Sequence, residues 1–316
     1  MRDFANKIKY RKPLEKFSAI KPFFTMPFYQ ATKQACSYFL SNVWNNFFVL
    51  QQKQKFRLSK IPVIFVDHPL DEKIPFVKNK IQAYSDFVGL FLRVISMFFK
   101  KLNRHTAGKL CSYFLIFIGS LYANAAFVYR FCMTTTRRPK YKSGFKFLLI
   151  HLFDPHFLCV PSLHVAIVSG VYAFVRQAFA DIPDTDILPE EKERFLSEIY
   201  RGALEITESV LFVKQHSINC VASALYMVST MNGDDFFSSD DAQQFIEKLF
   251  SESAELYEDD AAAVREYMAA MYSALIADYQ TAPEWQNPLF RWIKNYAEQT
   301  GQTSDLSRLE LQLELM

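Results

Sequence analysis

The sequence contains little that could hold a metal ion or carry out thiol redox chemistry. Its cysteines have no CxxC spacing, and no cluster of histidine and cysteine indicates a zinc site. Because free cysteines are most often core residues, we expect these thiols to be buried and unpaired. The cysteines, all inside or beside apolar segments, are Cys36, Cys111, Cys132, Cys159 and Cys220.

The N-terminus lacks the features of a cleaved secretory signal. Residues 1–17 are basic, but no apolar run of about 7–15 residues follows them directly. A basic tail ahead of the first apolar segment is typical of a cytoplasmic N-terminus under the positive-inside rule. We therefore assign residues 1–33 to a basic, cytoplasmic tail.

Charge divides the chain into two unlike parts. Residues 234–316 contain 17 Asp and Glu against 5 Lys and Arg, whereas residues 1–233 contain 31 basic and 16 acidic residues. Parts so different in charge are not expected to share one environment. The basic, apolar part suits anionic lipid headgroups or phosphate substrates. We predict a membrane domain over 34–233 and an acidic, soluble helical domain over 234–316.

Six apolar segments approach the length of about 20 residues that a helix needs to cross the hydrocarbon core. Segment 195–213 is the least apolar, because four charged residues at helical spacing share one of its faces. Such a stripe must face the bundle or water, and a soluble amphipathic helix is the alternative for this segment. The six segments are 34–52, 84–99, 110–129, 155–175, 195–213 and 215–233.

These segments predict an all-α fold: a six-helix transmembrane bundle with a soluble helical C-terminal appendage. By charge, the N-terminal tail and the basic loop 100–109 lie on the cytoplasmic side. Loops 53–81 and 130–160 then lie outside, and the chain returns inside after residue 233. In the appendage we expect helices over 242–256, 261–280 and 288–300, with a helix start near Ser238.

Three polar clusters fall at the predicted outer ends of these helices, with the sequences TTTRRP (134–139), PSLH (161–164) and KQH (214–216). Arginine donates paired hydrogen bonds to phosphate, and lysine adds a compact charge. A helix that begins near Ser162 favours an anion at its N-terminus. Two histidines can divide nucleophilic attack and proton donation between them. Together the clusters predict a phosphate site.

Each cluster taken alone has a simpler interpretation. A lone histidine in an apolar stretch is more often a hydrogen-bonded structural residue. Arg137 and Arg138 could anchor a helix end at the lipid headgroups, and the Pro-Ser pair at 161–162 could simply start a helix. The order of the three clusters and their common side favour the phosphate site.

The order of motifs resembles that of the superfamily of type 2 phosphatidic acid phosphatases and vanadium haloperoxidases. Its first signature ends in Arg-Pro, its second reads Pro-Ser-x-His, and its third has Ser-x6-His followed four residues later by Asp. The third stretch here is SVLFVKQH (209–216). Its Lys-Gln-His ending and PLDEKIPF (69–76) are similar to the branch of inositol-phosphoceramide and sphingomyelin synthases. The resemblance covers about residues 30–232.

This resemblance implies a role for each motif residue. His216 would be the nucleophile that forms a phosphohistidine, and His164 would be the general acid for the leaving alcohol. No metal or organic cofactor is implied. The residues implied to bind substrate phosphate are Arg137, Arg138, Ser162 and Lys214.

The chain departs from the family pattern at three positions. Phe131 stands where the first signature opens with Lys, and Val210 stands where the third has Arg. Cys220 occupies the position of the Asp that orients the nucleophilic histidine. A neutral thiol is a poor hydrogen-bond acceptor, so this change predicts a weakened active site. Asp154 or His156 is the alternative source of an orienting group.

We therefore expect an integral membrane phosphatase or phosphotransferase that acts on a lipid phosphate at the outer face. The positive-inside pattern favours a bacterial inner membrane with the site facing the periplasm, and a eukaryotic internal membrane is the alternative. One alternative is an impaired relative that binds lipid headgroups or phosphate without turnover. Another is a membrane-tethered scaffold whose acidic C-terminal domain binds a protein partner. No nucleic-acid partner is expected.

Overall fold

The structure is a computed structural model that describes residues 13–138, 154–231, 233, 235–281 and 284–302. It is mostly helical, with 70% helix and 3% strand. Pro139, which closes the first motif, lies outside the described residues, as do residues 1–12 of the predicted tail. All five cysteines are buried and free, as the sequence predicted.

The helices of the described chain are joined mostly by short turns. A π-helical turn over Trp44–Val49 connects the second helix to the third, so that residues 33–55 form one continuous rod. The helices are α1 (Lys21–Thr25), α2 (Lys33–Val43), α3 (Leu50–Lys55), α4 (Ile81–Ser85), α5 (Phe87–Lys101), α6 (Arg104–Phe131), α7 (Leu163–Asp181), α8 (Pro189–Phe212), α9 (Ile218–Met231), α10 (Ser239–Lys248), α11 (Glu258–Tyr279) and α12 (Asn287–Gln299).

A small parallel sheet ties the loop between α3 and α4 to the first motif. Strand β1 (Val63–Phe65) lies within this loop, and β2 (Met133–Thr135) follows α6 directly. Ile64 of β1 is aligned with Thr134 of β2. Since β2 also bridges to Leu158, the strand has a neighbour on both of its edges.

Three stretches of the described chain are long and apolar enough to cross a membrane, namely Lys78–Lys101, Arg104–Phe131 and Leu163–Asp181. They correspond to the predicted segments 84–99, 110–129 and 155–175. The chain is therefore compatible with a membrane protein, and the six-helix bundle stays a prediction.

The other three predicted segments fold differently, each for a physical reason. The rod over 33–55 is interrupted by its π-helical turn and carries several polar amide side chains. Helix α8 is long, but its charged stripe lowers its hydropathy. Helix α9 has 14 residues, which span about 21 Å, less than the hydrocarbon core.

Helix α6 is central to the bundle, because it packs against α2 on one side and α7 on the other. Two glycines allow these close approaches. A Cβ atom at Gly119 would lie 2.8 Å from the ring of Tyr38 in α2, and one at Gly170 would lie 2.7 Å from the ring of Phe117 in α6. Larger residues at either position would push the helices apart.

The C-terminal helices begin near the predicted residues and pack against the bundle. Ser238 caps α10 through a capping box, close to the helix start read from the sequence. Helix α11 packs along α9, and Tyr267 donates a hydrogen bond of 2.7 Å to Asn219. Phe290 of α12 packs against Phe131 of α6, with ring centroids 4.3 Å apart. The predicted domain boundary near residue 233 stays a prediction.

Glu208 joins α8 to the turn after α10. Its carboxylate accepts a hydrogen bond of 2.6 Å from the backbone N–H of Phe250, a residue with a positive φ of 63°. Burial raises the pKa of Glu208 to about 7, although this hydrogen bond and the charge of Lys80 oppose the shift. The folded protein therefore retains a proton on this carboxyl at pH values where the unfolded chain has released it.

We expect the folded state to lose stability as the pH rises from about 4.5 through about 7, because Glu208 then ionises in a buried position. The variant Glu208→Gln keeps the acceptor oxygen but cannot ionise. Its free energy of unfolding should match that of the unmodified protein near pH 4.5 and exceed it above pH 7. Denaturant unfolding across this range measures the difference. The exposed control Glu193→Gln on the same helix should follow the unmodified protein, and identical curves for both variants would contradict this assignment.

Candidate active site

Thr134 joins the first motif to the second. This fully buried residue donates from its backbone N–H to the carbonyl of Phe157 at 3.0 Å, and its own carbonyl accepts from Cys159 at 3.2 Å. Its hydroxyl oxygen accepts a third hydrogen bond, of 2.7 Å, from the backbone N–H of Val160. The segment that leads into PSLH is therefore bonded along its length to the strand that leads into Arg138.

Ser162 joins the second motif to the third. Its backbone N–H donates to the carbonyl of Cys220 at 3.2 Å, while Tyr129 of α6 donates to the carbonyl of Pro161 at 2.6 Å. Ser162 is also the N-cap residue of α7, yet its hydroxyl makes no capping hydrogen bond. The side chain is completely buried, so its hydroxyl group is presented at the N-terminus of a 19-residue helix.

The loop between α3 and α4 holds the third motif in place. Asp71 accepts a hydrogen bond of 3.0 Å from the N–H of Ile218 and so caps α9 from a distant part of the chain. Burial raises the pKa of Asp71, while hydrogen bonds from the backbones of His68 and Ile218 oppose that shift. Lys214 donates to the carbonyls of Asp71 and Ile74 in the same loop. His216 is thus held between two anchored positions, 214 and 218.

His164 and His216 lie side by side at this junction. Their ring centroids are 5.4 Å apart, and both residues are buried. Tyr84 stacks on His164 with a centroid distance of 4.7 Å, which fixes the plane of that ring. One phosphate can contact both rings at this separation, since proton transfer and attack need contacts of about 3 Å.

The environment of His216 favours the neutral imidazole. Burial lowers the pKa of His216, and the nearby His164 and Arg138 lower it further. A hydrogen bond with the backbone of Cys159 opposes the shift. A neutral ring retains the lone pair that a nucleophile needs.

Arg138 is positioned by His156, a residue that the sequence offered only as a replacement for the missing aspartate. Arg138 donates from Nη2 to Nδ1 of His156 at 2.8 Å and forms an ion pair of 3.6 Å with Asp154. Because Nδ1 accepts from the arginine, the proton of the neutral ring lies on Nε2, which is 2.7 Å from the hydroxyl oxygen of Thr136. His156 has a φ of 71°, a backbone conformation that few non-glycine residues adopt.

Three buried polar atoms in this region have no hydrogen-bond partner within the described chain. They are Nε of Arg138, Oγ of Ser162 and Nδ1 of His216. A buried donor or acceptor without a partner costs about 1–3 kcal/mol, so such atoms are uncommon in folded proteins. The three atoms belong to three different motifs. The Nε–H of Arg138 and the hydroxyl of Ser162 can donate hydrogen bonds to an anion.

An apolar cavity of about 570 Å³ reaches His164 and Asp154. It runs between the rod over 33–55 and α5, and most of its lining is aliphatic or aromatic, including Phe39, Val88 and Phe91. The volume is in the range of small-molecule sites in proteins. A ligand with an apolar chain could therefore lie in the cavity with its polar end beside the histidines.

The structure gives other surroundings to three residues that were expected at the phosphate or at the nucleophile. Arg137 is exposed, and its guanidinium lies 5.9 Å from the ring centroid of Phe65. Lys214 donates hydrogen bonds to the carbonyls of Asp71 and Ile74, in the loop between α3 and α4. The sulfur of Cys220 accepts from the N–H of Ser217 at 3.4 Å, and in the part of the chain that the structure describes no hydrogen bond joins it to His216. These three assignments stay predictions.

No family model, curated protein or solved structure matches this chain. The resemblance to the phosphatase superfamily therefore stays a prediction that rests on the three sequence motifs. The distances and burial described above are independent of that resemblance.

We expect Thr134→Val to destabilise the fold by about 1–3 kcal/mol, because it leaves the buried N–H of Val160 without an acceptor. Valine keeps the shape and the β-branch of threonine, so the backbone bonds of the strand persist. Denaturant unfolding in detergent measures the change. The matched control is Thr135→Val on the same strand, which should change stability by less than about 0.5 kcal/mol. Equal effects of the two substitutions would rule out a special role for the Thr134 hydroxyl.

Proposed function

We propose that this chain is an integral membrane phosphatase or phosphotransferase that acts on a phosphate monoester or diester carried by an apolar chain. One observation carries the proposal: His164 lines an apolar cavity and lies beside a second buried histidine, His216, where three motifs with unpartnered buried polar atoms are bonded together. Phosphate chemistry accounts for the polar groups, and a lipid chain accounts for the cavity. The order of the three sequence motifs supports the same reaction class.

In the proposed reaction, an imidazole nitrogen of His216 attacks phosphorus and forms an N–P bond. The P–O bond to the lipid or headgroup oxygen breaks, and His164, which enters the step as an imidazolium beside the negative substrate phosphate, donates its proton to that departing oxygen and becomes neutral. Water, or a second alcohol in the case of transfer, then attacks phosphorus while His164 takes up its proton. The N–P bond breaks in this step, and both histidines return to their starting protonation states.

Arg138 and Ser162 are suited to hold the phosphate during both steps. The guanidinium donates to phosphate oxygens, and the Ser162 hydroxyl adds a donor at the N-terminus of α7, where the helix dipole favours negative charge. His156 and Asp154 keep Arg138 oriented through the contacts of 2.8 and 3.6 Å. Because the transition state carries more charge on the oxygens to which these groups donate, their placement lowers the barrier.

The cavity supports a lipid rather than a soluble phosphate ester as the substrate. It lies between α5, which belongs to a stretch long enough to cross a membrane, and the rod over 33–55. Its lining contains few polar groups, so it offers little to a sugar or a nucleoside. An acyl chain can enter it from the hydrocarbon layer and keep apolar surroundings, whereas a sugar or nucleoside would lose hydrogen bonds to water there.

An impaired relative that binds phosphate without turnover is the second candidate. The observation that favours it is Cys220, whose sulfur bonds to the backbone of Ser217 and not to His216. If the chain is an active enzyme, the backbone of Cys159 orients His216 through its hydrogen bond. The resemblance gives that role to a carboxylate. A carbonyl oxygen can fix the tautomer of an imidazole, but it stabilises the charged ring less than a carboxylate does.

Phosphate release from phosphatidic acid by the detergent-purified full-length protein separates the two candidates. We expect His216→Ala to lower turnover by about 10³-fold or more, because no other group can form the phosphoenzyme. The exposed histidine variant His105→Ala is the matched control and should keep full activity. Turnover that is the same in His216→Ala and the unmodified protein would contradict the proposed route.

Cys220→Asp adds a carboxylate at the position of the family aspartate. If the unmodified protein is an enzyme, this change should alter turnover modestly, since the Cys159 backbone already orients the ring. If the unmodified protein is an impaired relative, only Cys220→Asp should release phosphate. Phosphate binding without release in both proteins would favour the purely binding role.

We expect Val88→Trp to obstruct the cavity and to discriminate against long acyl chains. Val88 is half-buried and lines the cavity, so an indole there occupies space that the chain would need. The KM for a long-chain phosphatidic acid should rise several-fold, whereas kcat with a short-chain analogue should change little. Ile116→Trp on the exposed face of α6 is the control for adding a large aromatic residue. An equal KM increase for both chain lengths would argue against an acyl site.

A further inference from the structure

A second cavity lies at the other end of α5. Its volume is about 680 Å³, and it is formed where the N-terminal segment crosses the junction of α5 and α6. Phe87 contacts His164 at one end of α5, while Lys100 lines the second cavity at the other. Thirteen residues of helix separate them, a distance of about 20 Å along the axis. Pro22 lines both cavities, but the cations of the second one are therefore well separated from the histidines of the candidate active site.

This cavity is lined by cations and by no carboxylate of the described chain. The four cations, all exposed, are Lys16, Lys21, Lys100 and Arg104. Among the described residues none of the four forms an ion pair, whereas the adjacent Lys101 is bound to Glu191 at 2.6 Å. Four positive charges around one concave surface repel each other unless an anion lies between them.

Aromatic side chains surround the same cations. Phe24 and Phe28 line the cavity and are 72% and 83% exposed. The neighbouring Phe23 is 57% exposed, so three phenylalanines within six residues face outward. Phenylalanine beside lysine on an exposed segment is typical of a surface that lies in the headgroup layer of a membrane.

The cavity is built from anchored elements. Ser96 of α5 donates a hydrogen bond to the carbonyl of Ser18, which ties the N-terminal segment to the helix. Tyr29 donates to the carbonyl of Arg104 at 3.0 Å, and its ring packs edge-on against Phe99 with centroids 5.5 Å apart. These contacts hold the walls of the cavity at the end of two candidate membrane helices.

We propose that this cavity binds the phosphate headgroup of an anionic phospholipid in the leaflet opposite to the candidate active site. Lys100 and Arg104 flank the turn between two candidate membrane helices and bind the phosphate, with Lys16 and Lys21 closing over it from the N-terminal segment. The exposed phenylalanines lie among the acyl chains of the same leaflet. The proposal is independent of any reaction at His216, because it concerns binding alone.

The test is native mass spectrometry of the full-length protein, released from detergent micelles that contain phosphatidylglycerol or phosphatidylcholine. We expect phosphatidylglycerol to be retained in preference to phosphatidylcholine. The double variant Lys100→Gln with Arg104→Gln should lower this retention by roughly 25-fold, since each basic residue at a membrane surface contributes about a fivefold factor. The charge-conserving pair Lys100→Arg with Arg104→Lys should retain the lipid.

The matched control is Lys53→Gln with Lys55→Gln, which removes two exposed charges from α3 at the other end of the bundle. It should leave the retention of phosphatidylglycerol unchanged. An equal loss in both double variants, or no preference for phosphatidylglycerol in the unmodified protein, would overturn the proposal. Displacement of the lipid by inorganic phosphate alone would also overturn it, because the site would then recognise a free anion.

Discussion

The candidate site depends on a chain of backbone hydrogen bonds that joins three segments distant in sequence. Thr134 bonds to the segment that precedes PSLH, and Ser162 bonds in turn to the carbonyl of Cys220. Each bond is buried, so breaking one leaves a polar group without water or a partner. These bonds fix the backbone segments that carry Arg138, His164 and His216. The positions of the three side chains relative to one another therefore depend on them.

Burial has a chemical consequence at this junction. It lowers the pKa of His216 and so retains the neutral ring that nucleophilic attack requires. It also leaves polar atoms of three motifs without partners, an arrangement that an anion can complete. The same low-dielectric surroundings make each hydrogen bond to a phosphate stronger than it would be in water. In a site of this kind, the hydrogen bonds that bind the anion come from polar groups that have no partner within the fold.

The two cavities along α5 share Pro22 in their walls but differ in chemistry. The one beside His164 has an apolar lining, whereas the one beside Lys100 is ringed by cations. Phe87, which contacts His164, and Lys100 are about 20 Å apart along a helix in a stretch long enough to cross a membrane, so an orientation that presents the histidines to one leaflet presents the cations to the other. In our two proposals the first cavity takes the chain of a substrate and the second takes the headgroup of a resident lipid.

The sequence by itself determined the helical class, three apolar stretches long enough to cross a membrane and the buried, unpaired cysteines, because these depend on local composition and periodicity. It also predicted His164, His216, Arg138 and Ser162 as candidate site residues, from their residue types and their order along the chain. Only the tertiary structure decided their surroundings. The sequence could not predict the hydrogen bond between Arg138 and His156 or the one from Lys214 to the carbonyl of Asp71. Both join groups whose separation is set by the packing of the folded chain. The sequence could not predict the basic cavity for the same reason. Its four cations belong to segments that meet only when the chain is folded.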